Sequence, residues 1–318
     1  KRNSYLKRVA IADFDAVASA HSLVLRAKPE NVLPEFLPFF LLSEIFWECA
    51  IEISVGSLSP TINWKVLAKQ EFLLPPKEQQ AEIAELLWAM DEVIERDILT
   101  FKALQQFSER FLSDTVSGKR FDVGDWGVYK FGDLGESFGG LSGKSKDDFG
   151  EGSSFITYMN VYKNSKINLK EIDYVRIKDD EKQNCVRYGD ILLTGSSETP
   201  DEVAMSSVVL DNPEGFYLNS FCFGFRLYDF KTLDPNYARF LMRGPEVRRF
   251  MHKHAQGSTR FNISKTTIKN KLNLLIPPLN MQYKIIDELE ANERNLSLFK
   301  NKISSSNSMK KSLINRIF

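Results

Sequence analysis

The chain repeats part of itself at a distance of about 200 residues. Gly56–Ile62 reads GSLSPTI and Gly257–Ile263 reads GSTRFNI, and a Leu-Leu segment ending in Pro-Pro follows each copy. Further aligned pairs are Arg26 with Arg226 and Gln80 with Gln282. Solenoid repeats have periods of roughly 20–50 residues, so this longer period indicates a duplicated domain. A chain of 318 residues has room for about two such domains, each with its own core.

Each Pro-Pro pair precedes a segment that predicts a long helix. Both segments run for roughly 40 residues without glycine or proline. Proline is tolerated in the first turn of a helix, so we expect each pair to end a strand and open a helix. Apolar residues recur at heptad spacing on both helices, as in a coiled coil. The expected seam residues are Ile83, Leu87, Met90, Ile94, Phe101, Leu104 and Phe111, then Ile285, Leu289, Leu296, Phe299, Ile303, Leu313 and Ile317. Asn292, Ser306 and Lys310 interrupt the second seam.

The two helical segments carry charges of opposite sign. Residues 77–118 have four basic and nine acidic side chains, a balance of −5, and residues 280–318 have seven and four, a balance of +3. Opposite charges favour pairing of the helices with each other over self-pairing. The first helix ends where the second domain begins, so we expect an antiparallel coiled coil about 60 Å long. A pseudo-two-fold axis would then relate the two copies.

The fold class expected is mixed α/β, with two recognition-type domains separated by the two helices. We assign residues 1–76 to a partial first domain, 77–118 to the first spacer helix, 119–278 to a complete second domain and 279–318 to the second helix. By comparison with the second domain, the first lacks about 80 N-terminal residues and is expected to be truncated. Hydrophobic and turn patterns predict strands at Phe155–Tyr158, Ile172–Ile177, Asp190–Thr194, Ser207–Leu210 and Ser220–Leu227, and helices at Pro235–Met242 and Pro245–His254.

Composition argues against several functional classes. No apolar run approaches the ~20 residues of a membrane span. Three scattered cysteines and three histidines lack metal-ligand spacing, which predicts a cytoplasmic protein with buried thiols and no metal site. The segment Phe138–Ser145 is one residue short of a phosphate-binding loop, and no catalytic motif stands out elsewhere. We therefore expect no enzyme activity and no cofactor in this chain.

The zero net charge argues against a nucleic-acid-binding protein, but the distribution of charge along the chain is more informative. Between Arg239 and Lys271 there are nine basic residues and one acidic residue, which predicts either a DNA-facing surface or a solvated helix face. Loop Gly257–Ile263 combines an arginine, an asparagine and hydroxyls, groups that suit guanine, adenine and phosphates respectively. Loop Gly195–Glu202 is either a polar turn or a hydroxyl-lined loop beside DNA. The candidate DNA contacts are Lys144, Lys146, Asn160, Lys163, Ser196, Ser197, Ser258, Thr259, Arg260 and Asn262.

Five segments, in this order, resemble the specificity subunit of type I restriction-modification systems. They read FLLPPKEQQAEIAELL, SERFLSDTVSGKR, GDILLTGSSETPDEVAMSSVVL, GSTRFNIS and LLIPPLNMQ. The resemblance implies a non-catalytic subunit that recognises a bipartite double-stranded DNA sequence through two target-recognition domains. It also implies two modification (methyltransferase) subunits and a restriction subunit as partners, which would use S-adenosylmethionine, ATP and Mg²⁺. The alternatives from other classes are a coiled-coil scaffold that joins proteins without reading DNA, and an orphan methyltransferase.

Overall fold

The structure, a computed structural model, describes residues 4–12 and 14–318. The chain forms two compact units. The first unit comprises Lys1–Gln105 with Asn295–Phe318, and the second unit comprises Gln106–Arg294. Each long helix contributes one part to each unit.

The first unit is built from short helices that pack aromatic side chains against the start of a long helix. Its helices are α1 (Leu37–Leu42), α2 (Glu44–Glu52), α3 (Trp64–Leu67) and the first part of α4 (Lys77–Val116). Ser43 begins α2 by accepting a hydrogen bond from the Phe46 amide, which satisfies one of the free donors at a helix start. Phe40 packs edge-on against Phe46 with ring centroids 5.6 Å apart, at the centre of this core.

The second unit is mixed α/β. Its strands are β1 (Gly127–Lys130), β2 (Gly135–Gly139), β3 (Phe149–Ile156), β4 (Ile172–Val175), β5 (Ile191–Thr194), β6 (Ser196–Ser197), β7 (Ser206–Val208), β8 (Tyr217–Leu218), β9 (Cys222–Leu227), β10 (Phe261–Asn262) and β11 (Asn273–Ile276). Its helices are α5 (Tyr158–Lys163), α6 (Pro235–Leu241), α7 (Pro245–His254), α8 (Lys265–Lys271) and the first part of α9 (Leu279–Ile317).

A four-stranded antiparallel sheet, in the order β2-β9-β5-β7, organises the second unit. Every residue of β5 is buried, as expected for the short apolar run that this strand shows in sequence. The unit also contains a second sheet, β4-β3-β8, and the strand pairs β1-β11 and β6-β10. The main core contains residues of β5 and β9, of helices α6, α7 and α8, and of the beginning of α9.

The predicted elements of the second unit agree with the structure in position, with local differences. Helix α7 has the predicted bounds, and α6 ends one residue before the predicted end. Tyr158, predicted at the end of a strand, instead begins α5, because Thr157 caps a helix by accepting from the Asn160 amide. A strand precedes the second Pro-Pro pair, but residues 70–76, all described, form no strand before the first.

The two long helices pair antiparallel in each unit. In the first unit, Leu87 near the start of α4 shares a buried cluster with Ile314 near the end of α9. In the second unit, Ser108 near the end of α4 donates a hydrogen bond to Asn292 in the first part of α9, at 3.0 Å. The antiparallel coiled coil predicted from the heptads is therefore confirmed, with helix ends within two residues of those expected.

Polar residues of the seam find partners on the opposite helix. Besides the Ser108–Asn292 hydrogen bond, Lys310 forms an ion pair with Asp91 in the first unit. Asp97, almost fully buried, accepts from Lys302 at 2.8 Å. Polar pairs of this kind specify register and partner at some cost in stability. Two of the three interruptions seen in sequence, Asn292 and Lys310, are thus matched across the two helices.

Each long helix is joined to its unit by an equivalent buried glutamine. Gln80 accepts from the Leu33 amide at 2.8 Å, and Gln282 accepts from the Asp234 amide at 2.9 Å. The side-chain amide of each glutamine donates to two backbone carbonyls. These are the carbonyls of Asn31 and Pro75 for Gln80, and of Thr232 and Pro277 for Gln282. We call these two contacts the glutamine clamps.

The hairpins that precede α3 in the first unit and α8 in the second unit are also equivalent. Val55 bridges Thr61 in the first unit, and Gln256 bridges Asn262 in the second. Each hairpin begins with a glycine of positive φ, 110° at Gly56 and 135° at Gly257. The duplication inferred from sequence is therefore a duplication of backbone geometry as well.

Candidate DNA interface

Two loops that the sequence singled out meet in the second unit. Strand β6 pairs antiparallel with β10, so that Ser196 lies opposite Asn262 and Ser197 opposite Phe261. About 60 residues separate these loops along the chain. Four of the predicted contact residues, Ser196, Ser197, Arg260 and Asn262, therefore lie close together, and Ser197 is buried beneath the other three.

A cleft of about 400 Å³ opens at this junction. Its walls come from α5, from the loop after β5, from the residue before β9 and from the hairpin of β10. The lining residues are Tyr158, Met159, Tyr162, Ser196, Ser197, Glu198, Glu202, Phe221 and Arg260. The cleft lining thus combines aromatic side chains with charged and hydroxyl groups, as specific binding sites commonly do.

Two tyrosines one helical turn apart form the wall on α5. The rings of Tyr158 and Tyr162 are nearly parallel, at 15°, with centroids 6.1 Å apart. The Tyr158 hydroxyl donates to the Ser196 carbonyl at 2.7 Å, which ties the helix to β6. Burial raises the pKa of Tyr158, so its hydroxyl stays protonated and keeps this donor role at neutral pH.

Glu202 supplies a fixed negative charge at the cleft. It accepts from the Tyr162 hydroxyl through one carboxylate oxygen and from the Ser197 hydroxyl, at 3.2 Å, through the other. The Tyr162 hydroxyl holds the pKa of Glu202 below its usual range, because hydrogen bonds to the charged form favour it. The same bond raises the pKa of Tyr162. Glu202 is therefore a carboxylate at neutral pH, with both oxygens engaged.

Arginines of the basic segment bind backbone carbonyls of the segments that form the cleft walls. Arg243 donates to the carbonyls of Tyr162 and Asn164 at the end of α5, at 2.9 and 2.7 Å, and to Ser206 in β7, at 2.7 Å. A guanidinium at this position satisfies the free carbonyls of a helix end. Burial lowers the pKa of Arg243 to about 10, which leaves it protonated at neutral pH.

Arg248 and Arg239 also act internally, so neither alternative for the basic segment, a DNA-facing surface or a solvated helix face, describes all of its residues. Arg248 donates to the carbonyls of Asp201, Val203 and Ala204, in the turn that carries Glu202. Arg239 is buried and pairs with Glu290 and Glu293 of α9. Part of the local charge excess is therefore used within the fold. The basic residues of the segment that are exposed are Arg249, Lys253, Arg260, Lys265 and Lys271.

Two of the predicted contact residues, Lys144 and Asn160, are not available to DNA, because their polar groups are bound within the fold. Lys144 is buried, donates to the Arg176 carbonyl at 2.6 Å and pairs with Glu181. Its ammonium group therefore holds the loop in place and is not available to bind phosphates. Asn160 is 1% exposed, and its amide donates to the Asn168 and Glu171 carbonyls at 2.8 and 2.7 Å.

The remaining candidates lie at the surface. Ser258 and Thr259 are exposed at the tip of the hairpin that carries Arg260, while Lys146 and Lys163 are exposed elsewhere on the second unit. Sequence reasoning missed the residues Tyr158, Met159, Tyr162, Glu198, Glu202 and Phe221. The spacing of the two tyrosines was the one available signal, because four residues place two side chains on one helix face.

A hairpin and helix start that occur twice, together with two long antiparallel helices, define a class of internally duplicated α/β proteins. The model of the type I restriction modification DNA specificity domain matches residues 3–100 and 124–305. The chain therefore belongs to this family and is a DNA-recognition subunit. Because specificity subunits of type I systems are non-catalytic, membership also supports the prediction that the chain is not an enzyme.

Solved structures share the fold. The HsdS subunit from Thermoanaerobacter tengcongensis is 18% identical, with a TM-score of 0.56, over 92% of this chain and 70% of that one. The S subunit of a type I system from M. genitalium is 12% identical, with a TM-score of 0.52, over 92% and 74%. A structure described under complex assembly and conformational transition of the type I R-M system is 18% identical, with a TM-score of 0.64, over 92% and 72%.

Curated proteins contribute no further comparison, since none of them matches this chain. Within residues 4–12 and 14–318, no helix is long and apolar enough to cross a membrane. In the same described residues, no group of three or more histidine, cysteine, aspartate and glutamate side chains is arranged to hold a metal ion.

Proposed function

We propose that the second unit reads one half of a bipartite duplex DNA site through the cleft and its rim. The observation that carries this proposal is the β6–β10 pairing, which assembles Ser196, Ser197, Arg260 and Asn262 from two distant loops. Arginine, asparagine and hydroxyl side chains are the groups that read base edges and hold phosphates. The exposed hairpin tip adds Ser258 and Thr259 to this surface.

Phosphate contacts would come from exposed lysines outside the cleft. Lys146 and Lys163 keep this role in the proposal, since both are exposed on the second unit. Such contacts fix the position of a protein on DNA without reading sequence, and they make affinity depend on salt. The acidic lining of the cleft, in contrast, would repel phosphates and suits base edges.

The duplicated backbone geometry supports two recognition domains that bind different DNA sequences. Residues 1–76 and 119–278 would form the recognition domains, and residues 77–118 and 279–318 the spacer between half-sites. Both hairpins keep the glycine and the backbone bridge, but Leu58-Ser59-Pro60 stands where the second has Thr259-Arg260-Phe261. One geometry with different side chains at its tip is what two distinct half-sites require.

The chain would direct catalytic partners to that site. We propose that two modification (methyltransferase) subunits and a restriction subunit assemble with it in the cytoplasm, where they would act on DNA. S-adenosylmethionine, ATP and Mg²⁺ would belong to those partners, and this chain would hold no cofactor. Family membership and the coiled coil support this proposal.

Binding of the full chain to duplex DNA at several salt concentrations tests the proposal. We expect log affinity to fall linearly with log salt, and Lys146→Ala with Lys163→Ala to reduce that slope by about 2. Lys102→Ala, which removes an exposed lysine on α4, is the matched control and should leave the slope unchanged. A scaffold that only joins proteins would bind DNA weakly and without the lysine dependence, and that result would contradict the proposal.

A further inference from the structure

We infer that the cleft reads a single G·C base pair, with Arg260 on the guanine edge and Glu198 on the cytosine amino group. This inference rests on the proposed function and names the chemistry of its central contact. It depends on which charged groups of the cleft are already engaged within the fold and which are available to a ligand.

Arg260 differs from the other arginines around the cleft. Within the described chain it takes part in no hydrogen bond or ion pair, whereas Arg243 and Arg248 are bound to backbone carbonyls. Its backbone is nevertheless held firmly. The amides of Gln256 and Asn262 donate to each other's carbonyls, both at 2.8 Å, and close the hairpin on which Arg260 lies.

The hairpin also constrains where the guanidinium is presented. Gly257 has a φ of 135°, and a Cβ there would lie 1.9 Å from the Arg260 carbonyl oxygen. This tight turn brings Arg260 to the cleft wall from a fixed backbone position. Arginine binds guanine O6 and N7 together through its planar fork, which is the commonest specific contact in the major groove.

Glu198 is the free carboxylate of the cleft. It is exposed and, in the part of the chain that the structure describes, accepts no hydrogen bond, whereas both oxygens of Glu202 are engaged. A carboxylate beside DNA is repelled by phosphates, so it is favourable only where a base edge offers a donor. Cytosine N4 and adenine N6 are the donors of the major groove.

The pairing of the two charges decides between those donors. The partner of cytosine is guanine, whose O6 and N7 accept the fork of an arginine, while the partner of adenine offers a single oxygen and a methyl group. An arginine and a carboxylate that line one cleft therefore match a G·C pair.

Selection of bound sequences from a random duplex library, with the full chain as bait, tests this assignment. We expect the wild type to require G·C at one position of its motif. Arg260→Lys keeps the charge but loses the fork, so it should reduce guanine preference there about 10–100-fold and leave affinity for non-specific DNA nearly unchanged. Glu198→Ala should relax the requirement at the same position.

Lys253→Ala is the matched control, since it removes an exposed positive charge of the same segment. It should weaken binding of all sequences alike and leave the motif intact. If both cleft variants retain the wild-type motif, or if they alter different positions, the G·C assignment is wrong while DNA recognition stands. If the wild type enriches no motif and its binding shows no salt dependence, the proposed function itself fails.

Discussion

The first and second units attach their long helices by the same contacts but present different chemistry beyond them. In each, a buried glutamine clamp binds one amide and two carbonyls of its own unit. The hairpin tips, in contrast, share only their glycine, their serine and their backbone bridge. Conserved geometry is thus carried by main-chain atoms and two or three side chains, while the variable residues occupy the positions available to a ligand.

The two units differ at an ion pair in which Asp190 is buried and Arg226 is partly buried. Arg226 forms a two-fold contact with Asp190, at 2.9 and 2.7 Å, whereas its sequence counterpart Arg26 is exposed. Asp190→Ala should lower the free energy of unfolding by about 3–5 kcal/mol, because it leaves a partly buried guanidinium without its partner. Urea unfolding of the full chain measures this loss. Arg26→Ala should change it by less than about 0.5 kcal/mol, and a larger effect would show that the two sites are more alike than the structure indicates.

Loss of either glutamine clamp should lower the free energy of unfolding by a similar amount, because the two clamps make equivalent contacts. Gln80→Ala and Gln282→Ala each leave a buried amide and two carbonyls without a partner, at a cost of about 2–4 kcal/mol. The two losses should agree within about 1 kcal/mol, and hydrogen exchange should locate each loss in the unit that carries the change. Unequal losses would mean that the clamps only look equivalent.

The seam of the coiled coil differs between the units in its response to salt. The second unit has the neutral pair Ser108–Asn292, while the first has the ionic pair Asp97–Lys302. Lys302→Ala should cost about 1 kcal/mol at low ionic strength and less at 1 M salt, because screening weakens the wild-type pair. Ser108→Ala should cost about 1 kcal/mol at both ionic strengths. Equal salt dependence of the two losses in urea unfolding would contradict this distinction.

The smallest effect expected is a pH dependence specific to the second unit. The pKa of Glu202 is lowered by the Tyr162 hydroxyl, so its contribution to stability is complete above the ordinary carboxyl pKa of about 4.3. That contribution is lost as the pH falls through the lowered pKa. The difference in urea midpoint between wild type and Glu202→Gln should therefore vanish in acid. The loss in Gln80→Ala should persist, since an amide does not titrate there.

Sequence reasoning succeeded where a periodic signal or a proline marked an element. The two long helices, α6 and α7 followed from such signals, because heptads and helix-start prolines are local properties. The six-residue helix α5 was missed, since it is too short to show a period. Its position depends on Arg243, which is about 80 residues away in the chain.

The candidate site was predicted only in part, for a related reason. Both loops were identified by composition, but their pairing through β6 and β10 is a long-range contact that composition does not encode. A count of charges also cannot separate arginines that bind carbonyls from those that meet solvent. Arg248 and Arg260 look alike in sequence, yet only the second is available to a ligand.

The glutamine clamps have a consequence for how such a chain can change. In each clamp the side chain belongs to the long helix, and its hydrogen-bond partners are backbone amide and carbonyl groups. The glutamine clamp itself therefore does not depend on which side chains the clamped segment carries. Side-chain changes in that short segment that keep its main-chain path therefore leave the clamp intact, whereas the pairing of Arg239 with Glu290 and Glu293 depends on side chains of both partners.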